Sequence, residues 1–339
     1  MLICLINIMK KAFRYFLISI LSIVFTLIVV GIIYIVADTH SRIKIQDKET
    51  YSTEEVEALM DEAKAQGRNS VLSTIKESLE NGNTVISVLK SLYPEYIVVA
   101  ANSKYNFVAI NNDLTKNKFD INNLSEDDNG RYVYSDDGQT TSRFGIDVSS
   151  HQGDIDWNAV KAEGVEFAFI RAVYRGYGTG KLVIDEKCIQ NIEGAQAAGI
   201  DVGVYVFSQA INQDEVLEEA STVIGLLDGY TLQLPIVFDV EKVADSSART
   251  NGLTVQDRTD LTKTFLETVK NAGYQPMFYH NTEMGAMLLD LTQLTEYPKW
   301  FAGYNKEFYW PYEYEIWQYS ETGRVEGING NVDLDIWLQ

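Results

Sequence analysis

Residues 234–242 read "LPIVFDVEK". This run is apolar enough for a buried strand, yet it carries two carboxylates two residues apart near its end. Side chains on a strand alternate faces, so Asp239 and Glu241 share one face while Phe238 and Val240 share the other. Two strand repeats separate such carboxylates by roughly 7 Å. They repel one another unless solvent or chemistry occupies the space between. Two readings follow: a strand fraying into a polar loop, or an acid/base pair at the mouth of an α/β barrel. The surrounding sequence has to choose.

Working outward, the whole stretch from Phe144 to Gln339 has one texture: short β-rich runs separated at first by amphipathic stretches. The runs are "FGIDVSS", "FAFIRAVY", "DVGVYVFS", "LPIVFDVE", "QPMFYHN", "KWFAGY", "YEIWQYS" and "VDLDIW". Asn212 and Glu215 form a capping box that starts one helix, and Gly273 closes the helix that begins after Thr254. The later runs leave little room for full helices. Strands separated by helices predict a parallel sheet, and eight runs in so short a stretch predict an α/β fold of the TIM-like, compressed β/α barrel kind over residues 143–339. A doubly wound open sheet is the competing architecture.

Upstream, residues 15–37 contain no charged side chain and are mostly Ile, Leu, Val and Phe; 23 residues suffice to cross a bilayer as a helix. Lys10, Lys11 and Arg14 precede the run, and no acidic residue appears before Asp38. This asymmetry predicts a cytoplasmic stub (1–14), an uncleaved transmembrane anchor in the lipid bilayer (15–37) and an external C-terminal part. A cleaved signal peptide is the alternative, but "YIVAD" is a poor cleavage site. Residues 38–142 read as a linker and spacer module. Ser52 and Glu55 form a capping box before a helical pattern interrupted by Gly67, which leaves one helix or two open. "YIVVAANSKYNFVAI" (96–110) reads as two strands around a turn, and 113–142, rich in Asn, Asp and Ser, as a linker. The spacer is thus a small α+β module or a stalk helix with a hairpin. A dimerising coiled coil has too few heptads to be preferred, so oligomeric state stays open.

The net charge is −20, and with +3 contributed by Lys10, Lys11 and Arg14 the remainder carries −23. Such a surface disfavours nucleic acid and anionic lipid headgroups as partners. Cys4 and Cys188 alone cannot build a disulfide framework or a zinc cluster.

In a β/α barrel, function gathers at the C-terminal ends of the strands. Asp147 in the first run, Asp239 and Glu241 in the fourth, and Asp333 in the last are candidates to converge there. A single inward acid is usually a salt-bridge partner or a cap; four from three separated strands are harder to explain as structure. Glycoside hydrolysis needs such a group: one carboxyl protonates the leaving oxygen, and a second stabilises or attacks the positive anomeric carbon. Crowding also raises carboxyl proton affinity. Tyr205, Tyr279, Trp300, Tyr304, Trp317 and Tyr319 lie in or beside predicted strands and suit sugar rings, although core packing is the commoner role of any one. The candidate substrate pocket is Asp147, Asp333, Tyr205, Tyr279, Trp300, Tyr304, Trp317 and Gln318.

Residues 144–339 resemble the family-25 glycoside hydrolases, the lysozymes of the Chalaropsis type. The motifs are "GIDVSSHQGDIDW", "GVYVFSQA", "PIVFDVE", W-x-A-x-Y in "WFAGY", "WQYS" and "GINGNVDLD", in this order and spacing. The resemblance implies a muramidase that cuts the β-1,4 bond after N-acetylmuramic acid in peptidoglycan, with no metal or other cofactor. It matches Glu241 to the proton donor and Asp239 to the group that stabilises an oxazolinium-like or covalent intermediate. Asp147 and Asp333 match the acids that complete the pocket. Two departures bear on substrate subsites: "RAVYRGYG", with Arg171, Tyr174 and Arg175, where many members have Lys-Ala-Thr/Ser, and Asp335 where many have Asn.

Two other classes compete. A wall-binding or sensory ectodomain would keep sugar affinity without turnover. A metal-dependent deacetylase would use His151 and His280 with Asp147, each histidine lying just past a predicted strand. Such a site wants at least three well-placed ligands and a supporting shell. Hydrogen bonding at the barrel rim is the plainer role for both histidines.

Overall fold

The computed structural model describes residue 14 and residues 18–34, 51–304 and 310–338. The chain falls into two compact units, Met1–Asn81 and Gly82–Gln339. In the first, residues 18–34 are helical with their apolar side chains exposed. Among the described residues no helix is long and apolar enough to cross a membrane. Both ends of the expected 15–37 span, residues 15–17 and 35–37, lie outside the described residues, as does the expected stub but for residue 14. Helix α1 (Thr53–Glu80) starts on the expected capping box, in which the Ser52 hydroxyl accepts from the Glu55 amide and the Glu55 carboxylate from the Ser52 amide. It runs through Gly67 without a break, so the one-helix reading holds.

The second unit opens with α2 (Val85–Leu92), capped by Thr84, and the hairpin β1 (Tyr96–Ala101) and β2 (Lys104–Ala109). Asn102 and Ser103 both take positive φ, 52° and 59°, which is what a two-residue turn matching strand twist requires. The stretch 113–142, expected as a linker, instead carries β3 (Leu124–Glu126), β4 (Tyr132–Asp136) and β5 (Gln139–Thr140) as a small antiparallel sheet. Its polar composition hid two buried anchors: Tyr132 stacks on Trp317 at 5.2 Å between ring centroids, and Tyr134 packs on Phe119. Arg131 pairs with Glu163 and covers the Phe144 ring.

The eight expected runs form the strands of one closed sheet. They are β6 (Ser142–Val148), β7 (Phe167–Arg175), β9 (Asp201–Ser208), β10 (Ile236–Val240), β11 (Pro276–Asn281), β12 (Lys299–Ala302), β13 (Ile316–Gly323) and β14 (Val332–Leu338). A short strand β8 (Leu182–Ile184) hangs on β7. Because β6 pairs with both β7 and β14, the sheet is a barrel and the open alternative is excluded. From β6 round to β13 the neighbours are parallel, whereas β14 runs antiparallel to both of its own. Helices α3 (Trp157–Ala162), α4 (Cys188–Ala197), α5 (Gln213–Leu226) and α6 (Val255–Asn271) connect the early strands, while β13 reaches β14 without a helix.

Strand alternation sorts the side chains into two cores. Ile236, Phe238 and Val240 face the helices, with Ile146, Ile170, Val204 and Phe278 from neighbouring strands. Phe167, Phe169, Val237, Met277, Trp300 and Ile316 fill the lumen. The lumen is packed so tightly at its base that a Cβ on Gly145 would come within 2.3 Å of the Phe167 ring. β6 therefore needs glycine one turn of the pleat below Asp147. Above this plug the barrel opens into a cavity at the C-terminal ends of its parallel strands.

Candidate active site

Above the plug lies a cavity of about 340 Å³ lined by Asp147, Arg171, Tyr205, Asp239, Glu241, Tyr279, Trp300, Tyr304, Gln318 and Asp333, with Phe207 and Glu321. The face shared by Asp239 and Glu241 is thus the lumen face, and the strand frays into a mouth, not into bulk loop. Asp333 comes from the beginning of its strand yet reaches the same end, because β14 is reversed and its register sets Asp333 opposite Asp147.

Gln318 ties the floor together. Its amide nitrogen donates to Asp147 Oδ2 at 2.6 Å, while its oxygen accepts from the Tyr279 and Tyr304 hydroxyls, each at 2.8 Å. Those two donors fix the amide orientation and therefore aim its N–H at the carboxylate. Trp300 stacks on Phe169 at 4.7 Å and donates its indole N–H to Asp335 Oδ1 at 2.9 Å.

Trp317 is not in the cavity. It neighbours Gln318 on β13, so alternation must send one of the two outward, and Trp317 lies under Tyr132 with its indole N–H on the Gly303 carbonyl at 2.7 Å. Tyr319 faces out for the same reason and packs on Tyr132 at 4.6 Å. His280 follows inward Tyr279 and is buried outside the barrel between Phe278 and Trp310, where burial lowers its pKa to about 4. His151 is exposed in the turn after β6. The two histidines and Asp147 therefore do not meet.

The two departures noted above also find places. Arg171 continues the inward series Phe167, Phe169 and points into the cavity, held by Asp185 through Nε at 2.9 Å and a second contact at 2.8 Å, and by the Ser150 hydroxyl at 3.1 Å. Tyr174 lies against its guanidinium. Arg175 is buried away from the cavity, where Glu219 (2.6 Å) and Glu218 (2.8 Å) bind it to α5. Asp335 is wholly buried beside Asp147 and Asp333.

Five carboxyls in so small a space cannot all be ionised. Burial raises the pKa of Asp239 well above the carboxylate range; the Glu241 charge adds to this and the Arg171 cation opposes it. Burial also raises Glu241, Tyr279 offsets it, and Asp333 and Glu321 reinforce it. Asp147 and Asp335 shift strongly upward, again chiefly through burial. Asp333 is pushed up to about 6, mainly by burial, against the hydrogen bond with Asp147. The cluster therefore titrates as a unit, at higher pH than isolated carboxyls would. It can give up a proton while leaving a neighbouring negative charge, beside the fixed Arg171 cation.

The same shifts fix a sign for stability. Asp333 in the unfolded chain titrates near 4, so between roughly pH 4 and 6 the folded state binds more protons, and its contribution is lost as pH rises through about 6. Asp333→Asn is therefore expected to stabilise the protein increasingly from pH 4 to 7, by about 1–2 kcal/mol at the upper end. Melting temperatures of both proteins across that range test this; a difference that stays flat or narrows with pH contradicts it.

Residues 146–328 match the family model of the glycosyl hydrolases family 25. The chain is 30% identical over 192 residues to an autolytic lysozyme of Clostridium acetobutylicum, covering 56% of this chain and 54% of that one. It is 31% identical over 213 residues to lysozyme M1 of Streptomyces globisporus, covering 57% and 67%. Among solved structures, the modular autolysin LytC of Streptococcus pneumoniae superposes with a TM-score of 0.54 at 25% identity, covering 63% of this chain and 52% of LytC. The chain thus spans about half the length of the autolytic lysozyme and of LytC. With the family model matching more than half of its residues, and with the barrel and its acidic mouth in place, the chain belongs to the glycosyl hydrolases family 25.

Proposed function

We propose that the chain is a peptidoglycan hydrolase, a muramidase that cleaves the β-1,4 bond after N-acetylmuramic acid. The observation that carries this reading is the convergence of Asp147, Asp239, Glu241 and Asp333 on one sugar-sized cavity at the barrel mouth. Glu241, half-buried where Asp239 is buried, protonates the glycosidic oxygen as the C–O bond breaks. Asp239, deeper in the cavity, balances the positive charge at the anomeric carbon, directly or through the sugar's acetamido oxygen. Water then adds to that carbon and returns a proton to Glu241, which restores the enzyme. Asp147, held by Gln318, and Asp333 grip the sugar, and Tyr205, Tyr279, Trp300 and Tyr304 give it aromatic walls.

Release of reducing ends from purified walls tests this reading. A wall-binding module would release none. A metal-dependent deacetylase would release acetate and stop on chelation, whereas the carboxylate chemistry is expected to survive exhaustive chelation.

We also propose that residues 15–37 anchor the protein in the membrane with its barrel outside. The support is the uncharged apolar run, the exposed apolar side chains of helical residues 18–34, and the cations at its N-terminal side. Protease added to intact cells with a permeable wall is expected to digest the barrel. A barrel protected until the membrane is breached contradicts the topology, and a mature chain starting near Asp38 would show cleavage instead.

A further inference from the structure

The cleft continues past the barrel. A second cavity, of about 450 Å³, shares Glu241, Tyr279, Tyr304 and Glu321 with the first and extends to α2 and β1, where Val98, Val99 and Ala100 line it. Neither α2 nor β1 lies within residues 146–328, the stretch that defines the family. We propose that the outer edge of β1, exposed at Ala100, is a subsite for the peptide borne by the substrate's muramic acid, so that the enzyme reads peptide and glycan together. This inference rests on the muramidase reading above.

β1 meets the cavity along its backbone edge. Side chains of consecutive strand residues point to opposite faces, so Val98, Val99 and Ala100 can all border one cavity only along their backbone edge. No residue of β2 lines it, so the edge is the one away from the hairpin partner. Among the described residues that edge pairs with no strand.

The pairing register decides which backbone groups that edge offers. The two-residue turn makes Ala101 and Lys104 the closing hydrogen-bonded pair. Hydrogen-bonded and non-bonded pairs then alternate, which directs the N–H and C=O of Val98 and Ala100 outward. The Val99 carbonyl agrees, since it faces β2 and accepts from Asn106 Nδ2 at 3.3 Å. Outward groups at strand spacing match an extended peptide, which adds as a further strand, and do not match the spacing of sugar rings. The muramic peptide branches from the very ring whose bond Glu241 protonates, so its path starts among the residues that the two cavities share.

The edge is also held in place. Lys242, next to Glu241, bonds Asn102 in the hairpin turn at 3.2 Å and pairs with Glu283 at 2.6 Å. The Asn111 amide just after β2 donates to the Tyr312 hydroxyl at 2.7 Å. The β1 edge is therefore fixed against the catalytic strand.

The test compares kcat/KM of the full chain on glycan strands with and without their peptides. Wild type is expected to prefer the peptide-bearing strands. Ala100→Pro, which removes one outward N–H on an exposed edge residue, is expected to reduce that preference about fivefold to tenfold. Hydrogen exchange on Glu241→Gln supplies a readout independent of the proline. A peptide-bearing fragment should protect the exposed Ala100 amide, and the peptide-free fragment should not. Equal cutting of both substrates, a preference that survives Ala100→Pro, or equal protection by both fragments overturns the β1 subsite alone. A chain that cuts neither substrate overturns the hydrolase reading, and this inference with it.

Discussion

Glu241→Gln is expected to lower kcat on solubilised peptidoglycan by roughly a hundredfold to ten-thousandfold, the range for losing a general acid. The amide keeps the shape of the carboxyl but has no proton to give the leaving oxygen. Its structural cost should be small. The position's backbone carbonyl, which accepts from Gln209 Nε2 at 3.1 Å, is unchanged, and one member of a crowded acidic cluster becomes neutral. Glycan affinity and melting temperature measured beside kcat separate this from misfolding. A variant with near-normal kcat, or one that loses binding and fold in proportion to rate, would show that the proton comes from elsewhere.

Asp239→Asn is expected to be comparably severe for a different reason. The residue is 7% exposed and its Oδ1 has no hydrogen-bond partner among the described residues, so that oxygen is left for whatever fills the cavity. An amide cannot supply the charge that the transition state requires. The two roles separate on a substrate whose leaving group departs readily. Such a substrate needs less protonation, so it should partly restore Glu241→Gln and do little for Asp239→Asn. If the pair acts as one unit, the double variant will be little slower than the slower single. Equal rescue of both variants would mean that the roles are reversed or shared.

Much of this site is legible in the sequence because two periodicities carry it. The two-residue alternation in "LPIVFDVE" places Asp239 and Glu241 together, and the alternation of strands with helices places their end of the strand at a barrel mouth. The same alternation, applied to "WQYS", would have separated Trp317 from Gln318, since adjacent strand residues cannot both face the lumen. It would also have extended Phe169 to Arg171 and Tyr205 to Phe207, which join the cavity. Glu321 was beyond its reach: register shifts after Gln318 break the parity on which such an extrapolation depends.

What stayed hidden is what contacts distant in sequence create. A strand's direction leaves no mark on its own residues, so "VDLDIW" did not reveal that β14 is reversed, although that reversal is what brings Asp333 to the mouth. The segment 113–142 has the composition of a linker, and its order comes from Tyr132 and Tyr134 seated on aromatic rings, Trp317 among them. The β1 edge is another such case, since nothing within "YIVVAA" says that a catalytic cleft runs beside it.

The central claim is that the acids at the barrel mouth cut one particular bond. Mass spectrometry of fragments released from chemically defined peptidoglycan, after borohydride reduction of new ends, tests it most directly. The account predicts that wild type places every new reduced end on N-acetylmuramic acid, and that Glu241→Gln yields almost none. Reduced ends on N-acetylglucosamine, or deacetylated strands of unchanged length, would contradict it.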